Sequence, residues 1–249
     1  MHLDLSDQVA LVTGSAHRVG RAIALELAKQ GMHIQIHYHS ADADVVRNAL
    51  HEIKALGVNA FAVKADIGTP EGVNDTLEAL TQNFGRVNVL VNSASVFPSG
   101  HLLDVTLESW EQTMNVNLRA PFLLTQGVAR MMMANDPQGG SIINVLDKGI
   151  STPWAKRPHH GISKAALWSL TQVSALSLAP HIRVNAVVPG PVMKTDDGMG
   201  DETWLKMGHE LPLGRTGDGM DVGRAVVFLA SESFLTGTLI HVNGGEHLQ

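Results

Sequence analysis

Cysteine is absent from the 249 residues, so the chain can build no disulfide, no thiolate nucleophile and no Cys-ligated zinc or iron–sulfur centre. No apolar run reaches the roughly 18 residues needed to span a bilayer. A basic excess is also missing. Eighteen Lys+Arg face 24 Asp+Glu without a basic block, which leaves no electrostatic footprint for wrapping nucleic acid. The stretch from Met1 to Gln8 has neither the basic n-region nor the apolar h-region of a signal peptide, so a cytoplasmic location is expected. The 13 histidines are scattered, clustering only at 37–39 and 159–160. Neither cluster has the helical i, i+4 spacing with a carboxylate that a zinc site often uses, and no metal site is expected.

With 44% apolar residues and a net charge of −6, the chain can bury a large core and is not a disordered sequence. Short apolar runs alternate with longer amphipathic stretches almost from end to end. Residues 9–13, 33–37, 59–63, 87–91, 141–145, 183–188 and 238–242 read as strands by length and β-branched content. Helical patterns occupy 21–29, 44–56, 72–84, 107–133, 163–178 and 220–230. This alternation predicts an α/β fold, a doubly wound parallel sheet of Rossmann type with helices on both faces. No composition shift marks a second domain. The Gly-, Asp- and Met-rich segment 191–219 breaks the alternation and is expected to be a substrate loop or lid, with a short helix at 202–207.

The first strand runs through Thr13-Gly-Ser-Ala-His-Arg-Val-Gly20 directly into a helix. Gly14 allows the tight turn and Gly20 the close packing, so the helix N-terminus can present free N–H groups to a phosphate. The second strand ends in His37-Tyr-His-Ser40, without the acidic residue that would hold a ribose 2′-hydroxyl. His39 and Ser40 can instead donate hydrogen bonds to a 2′-phosphate, and Arg18 adds a fixed positive charge. NADP is therefore expected in preference to NAD.

In the order of its motifs the whole chain resembles the short-chain dehydrogenase/reductase family. The resemblance rests on Gly14, Arg18, Val19 and Gly20 in the first turn, Asp66-Ile67 after the third strand, and Ser93, Ala94 and Ser95 after the fourth. Asn117, Asp147, His160-x-x-x-Lys164, Pro189-Gly190 and the terminal Asn243-Gly-Gly245 complete it. Within the family the chain is most similar to the pteridine reductases. They share the arginine at the middle of the turn, the His-Tyr-His segment, a stretch like Ser93-Ala-Ser-Val-Phe97 and an aspartate at the place of Asp147. The resemblance implies that Phe97 stacks on a flat substrate ring, that Arg18 approaches both cofactor phosphate and substrate, and that the molecule is a homotetramer. The apolar helix around 165–178 and Met131 to Met133 are compatible with such assembly.

One departure bears on catalysis. The family's proton donor is a tyrosine four residues before the lysine, and here that place holds His160 before Lys164. Histidine has a reference pKa near about 6.5 against about 10 for tyrosine, and a neighbouring ammonium disfavours an imidazolium. Asp147 could restore a usable proton if it meets the ring. The expected function is an NADPH-dependent reduction of a C=N or C=O bond, with Asp147, His160, Lys164 and Asn117 as the catalytic group. The alternative is an NADP-binding chain without activity, serving as a sensor or assembly partner. His159 is a competing imidazole, since a late helix start would change which ring faces the site.

Overall fold

The computed structural model describes residues 3–194 and 199–249. Seven strands form one sheet: β1 (Val9–Val12), β2 (His33–Tyr38), β3 (Ala60–Lys64), β4 (Val89–Asn92), β5 (Gly140–Val145), β6 (Ile182–Pro189) and β7 (Leu239–Val242). Their spatial order is β3-β2-β1-β4-β5-β6-β7, and every neighbouring pair is parallel. The order reverses between β1 and β4, where crossovers leave for opposite faces and a crevice opens at the carboxyl edge. Each expected strand is present, with ends shifted by one or two residues.

Among the described residues eight α-helices accompany the sheet: α1 (Arg18–Lys29), α2 (Ala43–Lys54), α3 (Pro70–Phe84), α4 (Leu107–Met114), α5 (Ala120–Ala134), α6 (Pro158–Leu178), α7 (Asp201–Glu210) and α8 (Gly219–Ser231). Local chemistry sets several starts. Thr69 accepts from the Gly72 N–H at 3.0 Å and Pro70 follows it, which caps α3. Asp218 and Asp221 form a reciprocal capping box at α8. On one face, Ile23 and Leu27 of α1, Ile53 of α2 and Val226 of α8 pack on Val12, Ile34 and Ile36. On the other, Leu80 of α3 and Leu124, Val128 and Met132 of α5 pack on Leu11, Leu90 and Ile142. Burial on both faces explains why the strands read as apolar runs and not as strict alternation.

Three helical expectations need correction. The stretch 107–133 is not one helix, because a π-helical turn at Asn115–Arg119 separates α4 from α5 and takes Asn117 into the interior. Helix α6 begins at Pro158, five residues earlier than the apolar pattern indicates, since proline at the first position fits a helix start. The helix expected at 202–207 spans Asp201–Glu210. Of the segment 191–219, residues 195–198 lie outside the described residues. Among the described residues no helix is long and apolar enough to cross a membrane.

Leu27 is fully buried between α1 and the sheet, whereas Leu205 on α7 is 62% exposed. Chemical denaturation is expected to show Leu27→Ala less stable by about 2–5 kcal/mol, and Leu205→Ala changed by less than about 0.5 kcal/mol.

Candidate active site

The seam between β1 and β4 positions the first part of the site. Thr13 is buried, and its Oγ1 accepts the backbone N–H groups of Ser93 and Ala94, each at 3.0 Å. Gly14 follows with a φ of +64°, and a Cβ there would stand 2.9 Å from Ala94 Cα. A Cβ on Gly20 would stand 2.3 Å from the Gly14 carbonyl oxygen. Both glycines are thus required by close approach as well as by the turn. Arg18 occupies the left-handed region at φ +54°, and its Nη2 donates to the Lys194 carbonyl at 2.9 Å.

His37 serves this turn from below. Its Nδ1 accepts the Gly14 N–H at 3.2 Å, and its Nε2 faces the Ala65 carbonyl at 3.1 Å, which fixes a neutral ring with the proton on Nε2. Burial pushes its pKa from 6.5 down to about 4, against the smaller pull of the Ala65 carbonyl. His37 therefore props the phosphate turn. His39 and Ser40, which follow it, are exposed and line the cleft.

The cleft, about 610 Å³, runs along the carboxyl edge from His39 and Ser40 across the turn to Asp147, His160 and Lys164. Val19, Asp66, Ile67, Ser93, Ala94, Ser95, Pro189 and Gly190 also line it. Bare glycine backbone at the start of α1, hydrogen-bond donors at the end of β2 and an elongated shape fit a dinucleotide. Asp66 Oδ1 accepts the Gly68 N–H at 2.9 Å and so shapes the turn into α3. Among the described residues no group of three or more His, Asp or Glu side chains is placed to hold a metal ion.

Beyond β5 lies a buried polar cluster. Asp147 caps a short 3-10 turn at Lys148–Ile150, its Oδ1 accepting the Gly149 N–H at 2.7 Å. Its Oδ2 meets His160 Nε2 in a close hydrogen-bonded contact. The other ring nitrogen of His160, Nδ1, lies 3.0 Å from the Val96 carbonyl and 3.3 Å from Asn117 Nδ2. Oxygen acceptors thus face both nitrogens, and the Asn117 amide nitrogen also approaches Nδ1. Asn117 Oδ1 accepts the Val96 N–H at 2.9 Å and the Ser95 hydroxyl at 3.2 Å, so its amide ties the loop after β4 to α6. Lys164 donates to the Val145 carbonyl at 2.8 Å. Burial pushes the Lys164 ammonium pKa down, with Asp147 pulling it partly back. Burial is also the largest influence on Asp147 and raises its pKa. The His160 hydrogen bond and charge, the Lys164 charge and the Gly149 N–H together outweigh it, and the carboxyl lies below the usual carboxylate range.

The early start of α6 decides between the two imidazoles. His160 faces Asp147, while His159 Nε2 lies 3.3 Å from Ser109 Oγ on α4 and lines a separate apolar cavity. Phe97 is 38% exposed, makes an edge-on contact with His160 at 4.5 Å and carries the Arg157 guanidinium 3.8 Å from its ring centre. Trp154 lies edge-on to Phe97 at 5.0 Å and lines the same cleft.

Known proteins match nearly the whole chain in sequence and fold. The family model described as Enoyl-(Acyl carrier protein) reductase matches residues 14–247. The L-rhamnose 1-dehydrogenase (NAD(P)(+)) of a Sphingomonas species is 33% identical over 250 residues, covering 98% of each chain. The chain belongs to the short-chain dehydrogenase/reductase family. It is an NAD(P)-dependent oxidoreductase. Among solved structures, a blue fluorescent protein from a metagenomic library, in complex with NADPH, superimposes with a TM-score of 0.88 at 35% identity, covering 97% of this chain and 98% of that one. FolM alternative dihydrofolate reductase 1 from Brucella canis, complexed with NADP, gives a TM-score of 0.92 at 29% identity, covering 99% and 96%.

The structure brings the sequence-selected residues into one cleft, with Asn117 joined to it through His160 and Ser95. Sequence reading named Thr13 only as the start of the glycine turn and missed the role of its hydroxyl, the propping role of His37, and Trp154. Thr13 does carry a signal, a hydroxyl at the buried end of a strand beside the glycine turn. Trp154 carries none in its spacing.

An unfolded chain protonates the His37 ring below pH 6.5, whereas the folded chain does so near pH 4. Stability supplied by the neutral ring is complete above pH 6.5 and declines as pH falls to about 4, by about 3 kcal/mol in all. Unfolding free energies of wild type and His37→Gln from urea titrations, compared between pH 7.5 and 4, are expected to shift relative to each other by about that amount, against the wild type at the lower pH. A constant difference across the range would contradict the neutral, buried ring.

Proposed function

We propose that the protein is an NADPH-dependent reductase acting on a C=N or C=O bond of a small flat substrate, pteridine-like by preference, with Asp147 and His160 delivering the proton. The observation that carries this reading is the Asp147–His160 contact within the cleft, beside buried Lys164. His160 then stands where the family has tyrosine, and the carboxylate supports the charged ring that an adjacent ammonium disfavours.

Gly14, Val19 and Gly20 would hold the pyrophosphate, His39, Ser40 and Arg18 the 2′-phosphate, and Lys164 the nicotinamide ribose. Bound NADPH supplies hydride. Every other step falls to the chain. The side chain of Asp147 is 18% exposed against 3% for His160, so the carboxyl is the side of the pair open to the cleft. A proton shared between Nε2 and Oδ2 leaves the pair toward the substrate heteroatom from that side, which leaves a neutral ring with its proton on Nδ1 beside a carboxylate that the Lys164 charge stabilises. Phe97 offers a flat apolar wall, and Met193, Met199, Trp204 and Met207 cover the opening from the 191–219 segment. The similarity to FolM, an alternative dihydrofolate reductase, supports a pteridine-like ring among the candidates. Exposed Val173 and Leu176 on α6 leave an apolar stripe suited to assembly into a homotetramer.

The test is an NADPH-consumption screen against dihydropterins, dihydrofolate, diketones and quinones, with NADH as the control. Turnover with a flat heterocycle and preference for NADPH are expected. Asp147→Asn and His160→Phe should each lower kcat/KM by about 10²–10⁴-fold while NADPH binding, followed by its fluorescence, is retained. Full activity in either variant would overturn the proton assignment. Binding of NADPH with no turnover on any substrate would point to the cofactor-binding role without catalysis.

A further inference from the structure

The segment that ends the chain returns to the active site. Glu246 opens a 3-10 turn at Glu246–Leu248, and its Oε1 lies 2.5 Å from Lys148 Nζ, a residue 98 positions away. Lys148 is the residue immediately after Asp147 and the first of the short turn that Asp147 caps. The pair is partly withdrawn from water, with side-chain exposures of 15% for Glu246 and 38% for Lys148. The second carboxylate oxygen of Glu246 rests against Gly190, 2.9 Å from where a Cβ would stand, so the same side chain touches the loop after β6. Lys148 Nζ also sits 5.7 Å from the Trp154 ring centre. Glu246 and Lys148 both line the cleft.

The turn is held locally by the Gly149 N–H on Asp147 Oδ1 and by three backbone bonds, from Ile150 to the Asp147 carbonyl and from Ser151 and Thr152 to the Lys148 carbonyl, and a turn this short gains stiffness from each further contact. Asp147 must nevertheless present Oδ2 to a ring fixed separately by Asn117 and Val96 on other elements. A charge-assisted bond from the next residue to the C-terminal turn removes the remaining freedom of that backbone, and its partial burial protects it from the screening that weakens exposed pairs.

We propose that Glu246 is a positioning residue that holds Asp147 against His160 through Lys148, which makes the C-terminal turn part of the active site. This rests on Asp147 and His160 being the proton-delivering pair. Glu246 touches neither of them and acts through the backbone of the 148–150 turn.

The test reads the pair directly, without turnover. In the ¹⁵N-labelled full-length protein, the His160 Nε2–H bonded to Asp147 gives a downfield imidazole proton signal, assigned by its loss in His160→Phe. In Glu246→Ala and separately in Lys148→Met, exchange of that proton with water is expected to accelerate by about tenfold or more. Glu246→Asp, which keeps the carboxylate, should restore most of the protection, as should the exchanged pair Lys148→Glu with Glu246→Lys. An unchanged signal in folded Glu246→Ala or Lys148→Met would show the bridge to be only a tether for the chain end, overturning the proposal. Should Asp147→Asn and His160→Phe keep full turnover, the proton assignment fails, while the exchange measurement still decides whether the bridge orders the pair.

Discussion

Three backbone N–H groups at the seam between β1 and β4 have lost their ladder partners because the strands end there. Thr13 Oγ1 takes two of them, from Ser93 and Ala94, and His37 Nδ1 takes the third, from Gly14. A buried donor without an acceptor costs about 1–3 kcal/mol, so these two side chains hold the carboxyl edge in one arrangement. The cleft depends on that arrangement. Fixing Gly14 against Ala94 places the start of α1, hence the partial positive charge a phosphate would meet. Fixing Ser93 and Ala94 starts the loop through Ser95 and Val96, which Asn117 and His160 then read.

Electrostatics continues from the same edge. Lys164, Asp147 and His160 are all largely withdrawn from water, and burial pushes the first two toward their neutral forms. Together they offset this. Asp147 favours the charged lysine, and the cations favour the carboxylate strongly enough to lower its pKa despite burial. Lys164 and Asp147 thus set opposite charges side by side in the cleft wall, and charge that is already in place favours a transition state of matching polarity without reorganisation.

Much of this was legible in the linear chain, and the illegible parts have identifiable causes. Strands buried on both faces leave unbroken apolar runs, so all seven are found within one or two residues. Helix starts are harder, because the first turn of α6 is polar and carries His159 and His160 where an apolar pattern has not yet begun. The ambiguity between those imidazoles was an ambiguity about that start, and Pro158 resolves it. The π-helical turn that buries Asn117 leaves no trace in apolar spacing, since its neighbours continue a helical pattern on either side. His37 was grouped with His39 by adjacency, although residues i and i+2 share a face of a strand only while the strand lasts. β2 ends at Tyr38, which leaves His37 buried and His39 exposed. Lys148 and Glu246 are joined by topology alone, through the return of β7 beside β6.

Arg18 shows how local strain and site chemistry meet in this edge. A left-handed conformation costs a non-glycine residue about 1–2 kcal/mol, and a glycine would occupy φ +54° without strain. The turn therefore carries a local penalty that only the side chain can offset. Part of the offset is visible in the guanidinium bond to the Lys194 carbonyl, which links the start of α1 to the segment that leaves β6. That segment contributes Met193 to the cleft wall, so one residue links the turn into α1 to the wall that follows β6. Lysine could keep the charge but not the planar fork that can face a carbonyl and a phosphate together, which makes the two cations unequal at this position. A phosphate bound at the turn would add a further partner for the same guanidinium, and a backbone already held at +54° has little conformational entropy left to lose on binding.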